Sequence, residues 1–285
     1  MSVLVIGGAN LDIKAKTLAS HVSGTSNPAQ ILTKPGGVAR NIAHNLARLG
    51  VEAKLVAALG EGPDAELILR ETMAAGVDLR HIIRSTKTTG TYIAILDADG
   101  ELITAINDMS ILGILTPEVI AALAPAIGAS DFVVADCNLS IETLGAIAQF
   151  AASKLVIEPV SVPKSAKLLA LLEQHRLFLA TPNLDQLEAL TCTRNVEAGA
   201  AHLHAAGLQN LVIHAGAQGS FASDGQTIVH IAAQARKIID VTGAGDAATA
   251  GLVSGLMQGL PLAKAAELGQ KASAQVIASE SSTLP

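Results

Sequence analysis

Short apolar runs alternate with helix-length amphipathic stretches along most of the chain. Val3 to Gly8 is an unbroken apolar segment ending in glycines, the pattern of a buried strand. Ala53–Leu59, Phe132–Ala135, Leu155–Ile157, Leu177–Ala180 and Leu211–Ile213 repeat it. Between them the spacing predicts helices at about 38–49, 64–75, 117–127, 141–152, 163–175 and 196–206, with Gly50 and Gly76 as stops after the first two. Short β-branched strands between helices predict an α/β fold, a mostly parallel sheet covered by helices on both faces. Two stretches break the rhythm. Residues 14–34 are polar, rich in Ser and Thr, and read as a loop or edge ribbon. Thr91–Asp97 and Glu101–Asn107 each alternate about the turn Asp97-Ala98-Asp99-Gly100 and predict a hairpin. The segments 11–35 and 88–109 are thus a candidate small β lid, although an ordinary edge hairpin fits the same pattern.

Composition narrows this picture. The chain has 285 residues, half of them hydrophobic and 15% charged, enough for a sizeable core. No linker, repeat or charge block divides it, so a single domain spanning 1–285 is expected. There is no Trp, one Tyr and four Phe, which disfavours base stacking on aromatic platforms. A net charge of −6 also argues against nucleic acid as a partner. Two cysteines make no disulfide framework, and the N-terminus lacks the basic flank of a signal peptide. No apolar run reaches membrane-spanning length, so a cytoplasmic protein without a membrane partner is expected.

The stretch Asp240-Val241-Thr242-Gly243-Ala244-Gly245-Asp246, followed by an apolar helical run, carries the first chemistry. Unpaired N–H groups at a helix start, with the positive end of its dipole, favour an anion. Gly243, Ala244 and Gly245 suit an anion hole, and Asp246 suits a base for an attacking hydroxyl. The same residues also suit a plain Gly-rich turn. In doubly wound sheets ligands bind beyond the carboxyl ends of the strands. The polar residues there are Asn10, Asp12, Asp136, Asn138, Glu158, Asn183 and His214. The Walker, dinucleotide and Gly-x-Ser-x-Gly motifs are absent, and no Cys/His cluster has zinc spacing.

In order along the chain, Asn10-Leu11-Asp12, Gly36-Gly37-Val38-Ala39-Arg40-Asn41, Thr181-Pro182-Asn183 and Asp240 to Asp246 resemble the signatures of the ribokinase-like, or PfkB, family of sugar and nucleoside kinases. The resemblance covers nearly the whole chain. It implies phosphoryl transfer from Mg-ATP to a small-molecule sugar or nucleoside, with Asp246 as base. It also implies sugar hydroxyls held by Asn10, Asp12, Gly36, Gly37 and Asn41, and nucleotide contacts from Asn183, Thr242, His214 and the Gly216–Gly219 turn. Ala105-Ile106-Asn107-Asp108-Met109 and Ala135-Asp136-Cys137-Asn138 are most similar to the members that phosphorylate the 5′-hydroxyl of pseudouridine. Asn107 and Asn138 would then meet the base, though a hairpin-end role for Asn107 and a cap or turn role for Asn138 stay open. Ribose or another nucleoside is the alternative acceptor.

The sequence also departs from the family pattern. Gln186 stands where Glu is usual three residues after the Asn, leaving Glu188 or Asp185 as substitutes. Glu158, in place of the more frequent Asp, and Glu188 are the expected metal-side carboxylates for Mg2+. His214 replaces a Thr or Ser. These departures motivate a rival reading, a catalytically weak nucleotide- or nucleoside-binding protein. A last helix is expected to be short or missing before Pro285. A monovalent cation beside the 240–246 loop and a homodimer through the lid are further expectations.

Overall fold

A computed structural model describes residues 1–234 and 237–285. The first third of the chain runs β1 (Ser2–Ile6), β2 (Asn10–Thr17), β3 (Ala29–Gly36), α1 (Val38–Arg48), β4 (Glu52–Val56), β5 (Ala58–Leu59), α2 (Pro63–Ala74) and β6 (Ile83–Arg84). The middle contains β7 (Thr91–Leu96), β8 (Leu102–Asp108), α3 (Pro117–Ala122), α4 (Ala124–Ala129), β9 (Phe132–Asp136), α5 (Ile141–Ala151) and β10 (Leu155–Glu158). Then follow α6 (Val162–Leu172), β11 (Leu177–Ala180), α7 (Leu184–Thr191), α8 (Val196–Ala205), β12 (Leu208–His214), β13 (Ser220–Ser223), β14 (Ile228–Ile231), α9 (Ala244–Met257) and α10 (Leu262–Ile277).

Eight strands form one sheet in the order β14-β13-β12-β11-β10-β9-β1-β4. From β12 to β4 neighbouring strands are parallel, while β13 and β14 add an antiparallel edge. Alternate residues feed two cores. Leu4, Ile6, Val133, Ala135, Leu155 and Ile157 join the core that holds α5 to α8. Val3, Val5, Val134, Val156, Leu179 and Val212 join the other, with α1, α9 and α10. The α/β expectation is therefore met. Strand order reverses at β1, which lies between β4 and β9, so the crevice beyond the carboxyl ends of β1 and β9 is a topological switch point.

Of the two readings of residues 14–34, the edge ribbon holds: β2 and β3 flank the turns at 18–28, and β3 is an edge strand. β2 and β3 pair antiparallel, β2 pairs parallel with β7, and the predicted hairpin closes the set as β3-β2-β7-β8. Smaller differences are local. The predicted 117–127 helix is broken into α3 and α4, because Pro125 has no N–H to continue the ladder. The 53–59 strand splits at Ala57, its last residues pairing with β6. The antiparallel edge β13–β14 and the helices α7 and α10 add to the expected elements. Past α10 no helix follows; residues 278–285 run as turns against α1.

α9 and α10 pack with little between their backbones. A β-carbon on Gly251 would fall 2.6 Å from the Leu268 carbonyl oxygen, and one on Gly269 equally close to that of Ala248. This tight contact fixes where the start of α9 lies. No helix among the described residues is long and apolar enough to cross a membrane.

Candidate active site

The switch-point crevice is built around Asp136, buried at the end of β9. Its Oδ2 accepts the backbone N–H groups of Gly8 (2.8 Å) and Ala39 (3.1 Å), and its Oδ1 that of Asn138 (2.9 Å). One carboxylate thus joins the end of β1, the start of α1 and the loop after β9. Gly7 leaves it room, since a β-carbon there would lie 2.4 Å from Oδ2. Gly37, with φ 98°, lets α1 start against Gly8, whose oxygen a β-carbon would approach to 2.4 Å.

On this frame α1 presents Asn41 to the first turn of α9, where Asn41 Nδ2 donates to Asp246 Oδ2 at 2.9 Å. Asp246 is half-buried, two residues past the first residue of α9. Desolvation raises its pKa to about 8 against the donated Asn41 bond, and Glu158, Asp136 and Asp12 add like charge. A carboxyl shifted this far toward neutral pH suits proton transfer. Gly243, with φ 78°, turns the chain into α9, and a β-carbon there would fall 2.0 Å from the Ser282 carbonyl oxygen. Among the described residues nothing lies within 4 Å of a β-carbon built on exposed Gly245, which leaves space beside the helix start. Ala244 is its first residue.

Of the residues expected on the substrate side, Asn10, Asp12 and Gly36 lie together where β2 and β3 meet, whereas Asn107 is not brought to them. Buried Asn10 donates to Asp12 Oδ1 at 2.6 Å, and burial raises the Asp12 pKa against Asn10, Lys14 and Arg40. Gly36 makes space for Asp12, whose Oδ2 would lie 2.2 Å from a β-carbon there. A crevice of about 300 Å³ opens between β2, β3 and the loop before α9, lined by Asp12, Lys14, Lys34, Asp240 and Thr242 among others. Lys14 crosses it to Asp240 Oδ2 (2.7 Å) and Thr242 Oγ1 (3.1 Å), while Lys34 reaches the Glu280 carbonyl (2.8 Å). Asn138 Oδ1 accepts from Lys164 of α6 at 2.5 Å, and Lys167 holds the carbonyls of Cys137 and Leu139. Asn107 is exposed on β8 opposite Tyr92 in register.

The nucleotide-side residues are placed less uniformly. Gly216 to Gly219 form a tight turn after β12; Gly216 has open space around it, and Gly219 sits with φ 94° against the Ile231 oxygen. Asn183 caps α7. Its Oδ1 accepts the Gln186 N–H and Gln186 Oε1 accepts the Asn183 N–H, each at 2.8 Å. Gln186 is therefore a capping-box partner, a role an amide fills as well as a carboxylate. The His214 ring nitrogens are sealed from solvent and have no hydrogen-bond partner among the described residues, and burial lowers the pKa to about 4. That neutral ring offers no open N–H to a phosphate here.

The expected metal carboxylates are not brought together. Both oxygens of buried Glu158 are taken, Oε2 by Thr181 (2.7 Å) and Thr249 (3.1 Å), Oε1 by the Val160 N–H (3.2 Å). Burial pushes its pKa up to about 7 despite these bonds. Glu188 is exposed on α7 and tied with Asp185 to Arg194. Among the described residues no three His, Cys, Asp or Glu side chains are grouped to hold a metal ion. The residues present thus form no protein cage for Mg2+, in keeping with an ion that keeps its waters and binds chiefly through nucleotide phosphates.

Sequence reasoning missed Lys14, Lys164, Arg40 and Thr249. Thr249 had a signal, because a lone polar residue three after Asp246 shares its helix face. The lysines had none; their partners lie far off in sequence.

The whole chain, residues 1–285, matches the profile of the pfkB family carbohydrate kinases. It is 36% identical to the pseudouridine kinase of Escherichia coli (strain K12) over 99% of this chain and 92% of that protein. It superposes on a carbohydrate kinase from Agrobacterium tumefaciens with a TM-score of 0.84 and 32% identity, covering 99% of this chain and 93% of the other. The ribokinase of Arabidopsis thaliana, solved with ribose and ATP, shares the fold at TM-score 0.81 and 20% identity, over 98% and 93% of the two chains. Together with the switch-point crevice and the Asp246 helix start, these matches place the protein in the pfkB family of carbohydrate kinases.

Proposed function

We propose that the protein transfers the γ-phosphoryl group of Mg-ATP to the 5′-hydroxyl of a nucleoside, with pseudouridine the favoured acceptor. The observation that carries this is the Asp246 carboxyl, held by Asn41 in the first turn of α9 beside the unobstructed Gly245. When bound, ATP supplies the phosphoryl group and the ADP leaving group. Asp246 takes the hydroxyl proton as the acceptor oxygen bonds to phosphorus and the bond to the bridging oxygen breaks. The N–H groups around Gly243, Ala244 and Gly245 stabilise the charge that spreads over the phosphoryl oxygens. Asp12 and Asn10 accept and donate to ribose hydroxyls, with Gly36 and Gly37 allowing close approach. Asn138 has its oxygen held by Lys164 and turns its amide nitrogen toward the Asp136 carboxylate, which leaves one N–H for a base carbonyl. Asn183, Thr242 and the Gly216–Gly219 turn line the nucleotide side.

Pseudouridine is preferred over ribose because the chain is 36% identical to a pseudouridine kinase across its length. β2, β3, β7 and β8 serve as a lid that excludes water and limits ATP hydrolysis. The exposed apolar residues Ile31, Leu32, Leu102 and Ile106 on that sheet favour pairing with a second copy. Exposed, unpaired Cys192 suits the cytoplasm.

The test is ADP release with pseudouridine, uridine and ribose as acceptors, with and without magnesium. Magnesium-dependent turnover greatest on pseudouridine is expected. Preference for ribose would transfer the assignment to a sugar kinase. Tight nucleoside binding without ADP release would favour the binding-protein alternative.

A further inference from the structure

Arg40 is only 3% exposed, yet no carboxylate among the described residues lies within ion-pair distance of it. A buried charge without a counter-charge is costly. Burial lowers the guanidinium pKa to about 10 against the fields of Glu71 and Asp12. Its donors go to neutral acceptors instead: Nε to Thr72 Oγ1 at 3.0 Å, and Nη1 to the Pro35 carbonyl at 3.5 Å and to Asn41 Oδ1 at 3.3 Å. A guanidinium has donors only, so the Asn41 atom that faces it is the oxygen. The amide nitrogen is then left on the other side, where it donates to Asp246 at 2.9 Å.

We propose that Arg40 is a positioning residue, which fixes the flip of the Asn41 amide so that Asp246 meets an N–H rather than a carbonyl oxygen. The functional meaning of this rests on the role proposed for Asp246 above. An N–H favours the ionised carboxylate; a carbonyl oxygen accepts only from the protonated acid. The other groups around Asp246 are Asp12 on β2, Asp136 on β9 and Glu158 on β10, all of which favour the protonated form. The oriented Asn41 is what opposes them. Arg40 also acts directly on Asp12, so the two routes must be separated.

Carboxyl-13C aspartate labelling separates them, with the Asp246 resonance assigned by its loss in Asp246→Asn. Titrations of wild type, Arg40→Met, Arg40→Lys, Asn41→Leu and the Arg40→Met/Asn41→Leu pair are compared. Arg40→Met is expected to raise the Asp246 midpoint by about one pH unit, and Arg40→Lys, which lacks the fork, by about half that. In the Asn41→Leu background Arg40→Met adds no further shift. Unmoved or lowered midpoints in both Arg40 variants overturn the proposal. So does an equal shift in both backgrounds, which would make the effect one of charge through space. Where Arg40→Met does not fold, the Arg40→Lys pair gives the same comparison. The titration needs no turnover: absence of turnover on every acceptor would sink the proposed function and still leave the role of Arg40 decided.

Discussion

Asp246 is held where burial and neighbouring carboxylates favour its protonated form, which suits the base role proposed for it. Its pKa of about 8 lies above the ordinary carboxylate value, so the folded state keeps the proton to higher pH. The stability this contributes is complete below about pH 4 and is lost as pH rises through about 8. Asp246→Asn is therefore expected to melt higher than wild type at pH 9, with the gap closing toward pH 5; a gap that widens on acidification would contradict the assignment. In turnover, kcat/KM should rise with pH along an acid limb set by Asp246, and Asn41→Ala should move that limb to higher pH by removing the N–H that favours the carboxylate. A limb that stays in place would mean that another group titrates. The sequence showed Asp246 and Asn41 because both sit in short signatures with fixed spacing. It could not show that Arg40, next to Asn41, turns inward, because helix periodicity places a charged residue without saying what satisfies it.

At the scale of elements, the start of α9 is positioned by contacts that only small residues allow. Gly243 combines a left-handed φ of 78° with a carbonyl where a β-carbon would go. Gly243→Ala should lower the melting temperature and remove most turnover, checked by calorimetry and ADP release on the same preparation. Full activity would show that the turn tolerates displacement. Gly251→Val should overpack the α9–α10 contact and cost about 1–3 kcal/mol or more, read by denaturant unfolding. The strands and most helices were legible because short apolar runs alternate with amphipathic ones. β2 and β3 were legible only as one of two readings, an edge ribbon or a loop, because their strands carry Lys, Thr and Gln. α7 was hidden by its short length, and its cap turned an apparent loss of function at Gln186 into a structural role.

The crevice proposed for the chemistry lies where the small sheet, the loop before α9 and the C-terminal turns meet. The large sheet supplies the switch point, the small sheet supplies Asn10 and Asp12, and residues 280–284 pack on Gly243 and Asn45. Lys14 is the tie between the small sheet and the Asp240–Thr242 loop. Lys14→Met should loosen that tie, raising KM for the acceptor several-fold and increasing ATP hydrolysis without acceptor; unchanged values would remove the lid from the account. If the small sheet also pairs two copies, Leu102→Asp with Ile106→Asp should convert a dimer to a monomer in sedimentation.

The central claim is that Asp246 takes the proton from an acceptor hydroxyl. Its most direct measurement is turnover of pseudouridine by wild type and Asp246→Asn, with ATP affinity determined on both. The account predicts a fall in kcat of about 10²–10⁴-fold with ATP binding little changed. Equal turnover by the two proteins would contradict it.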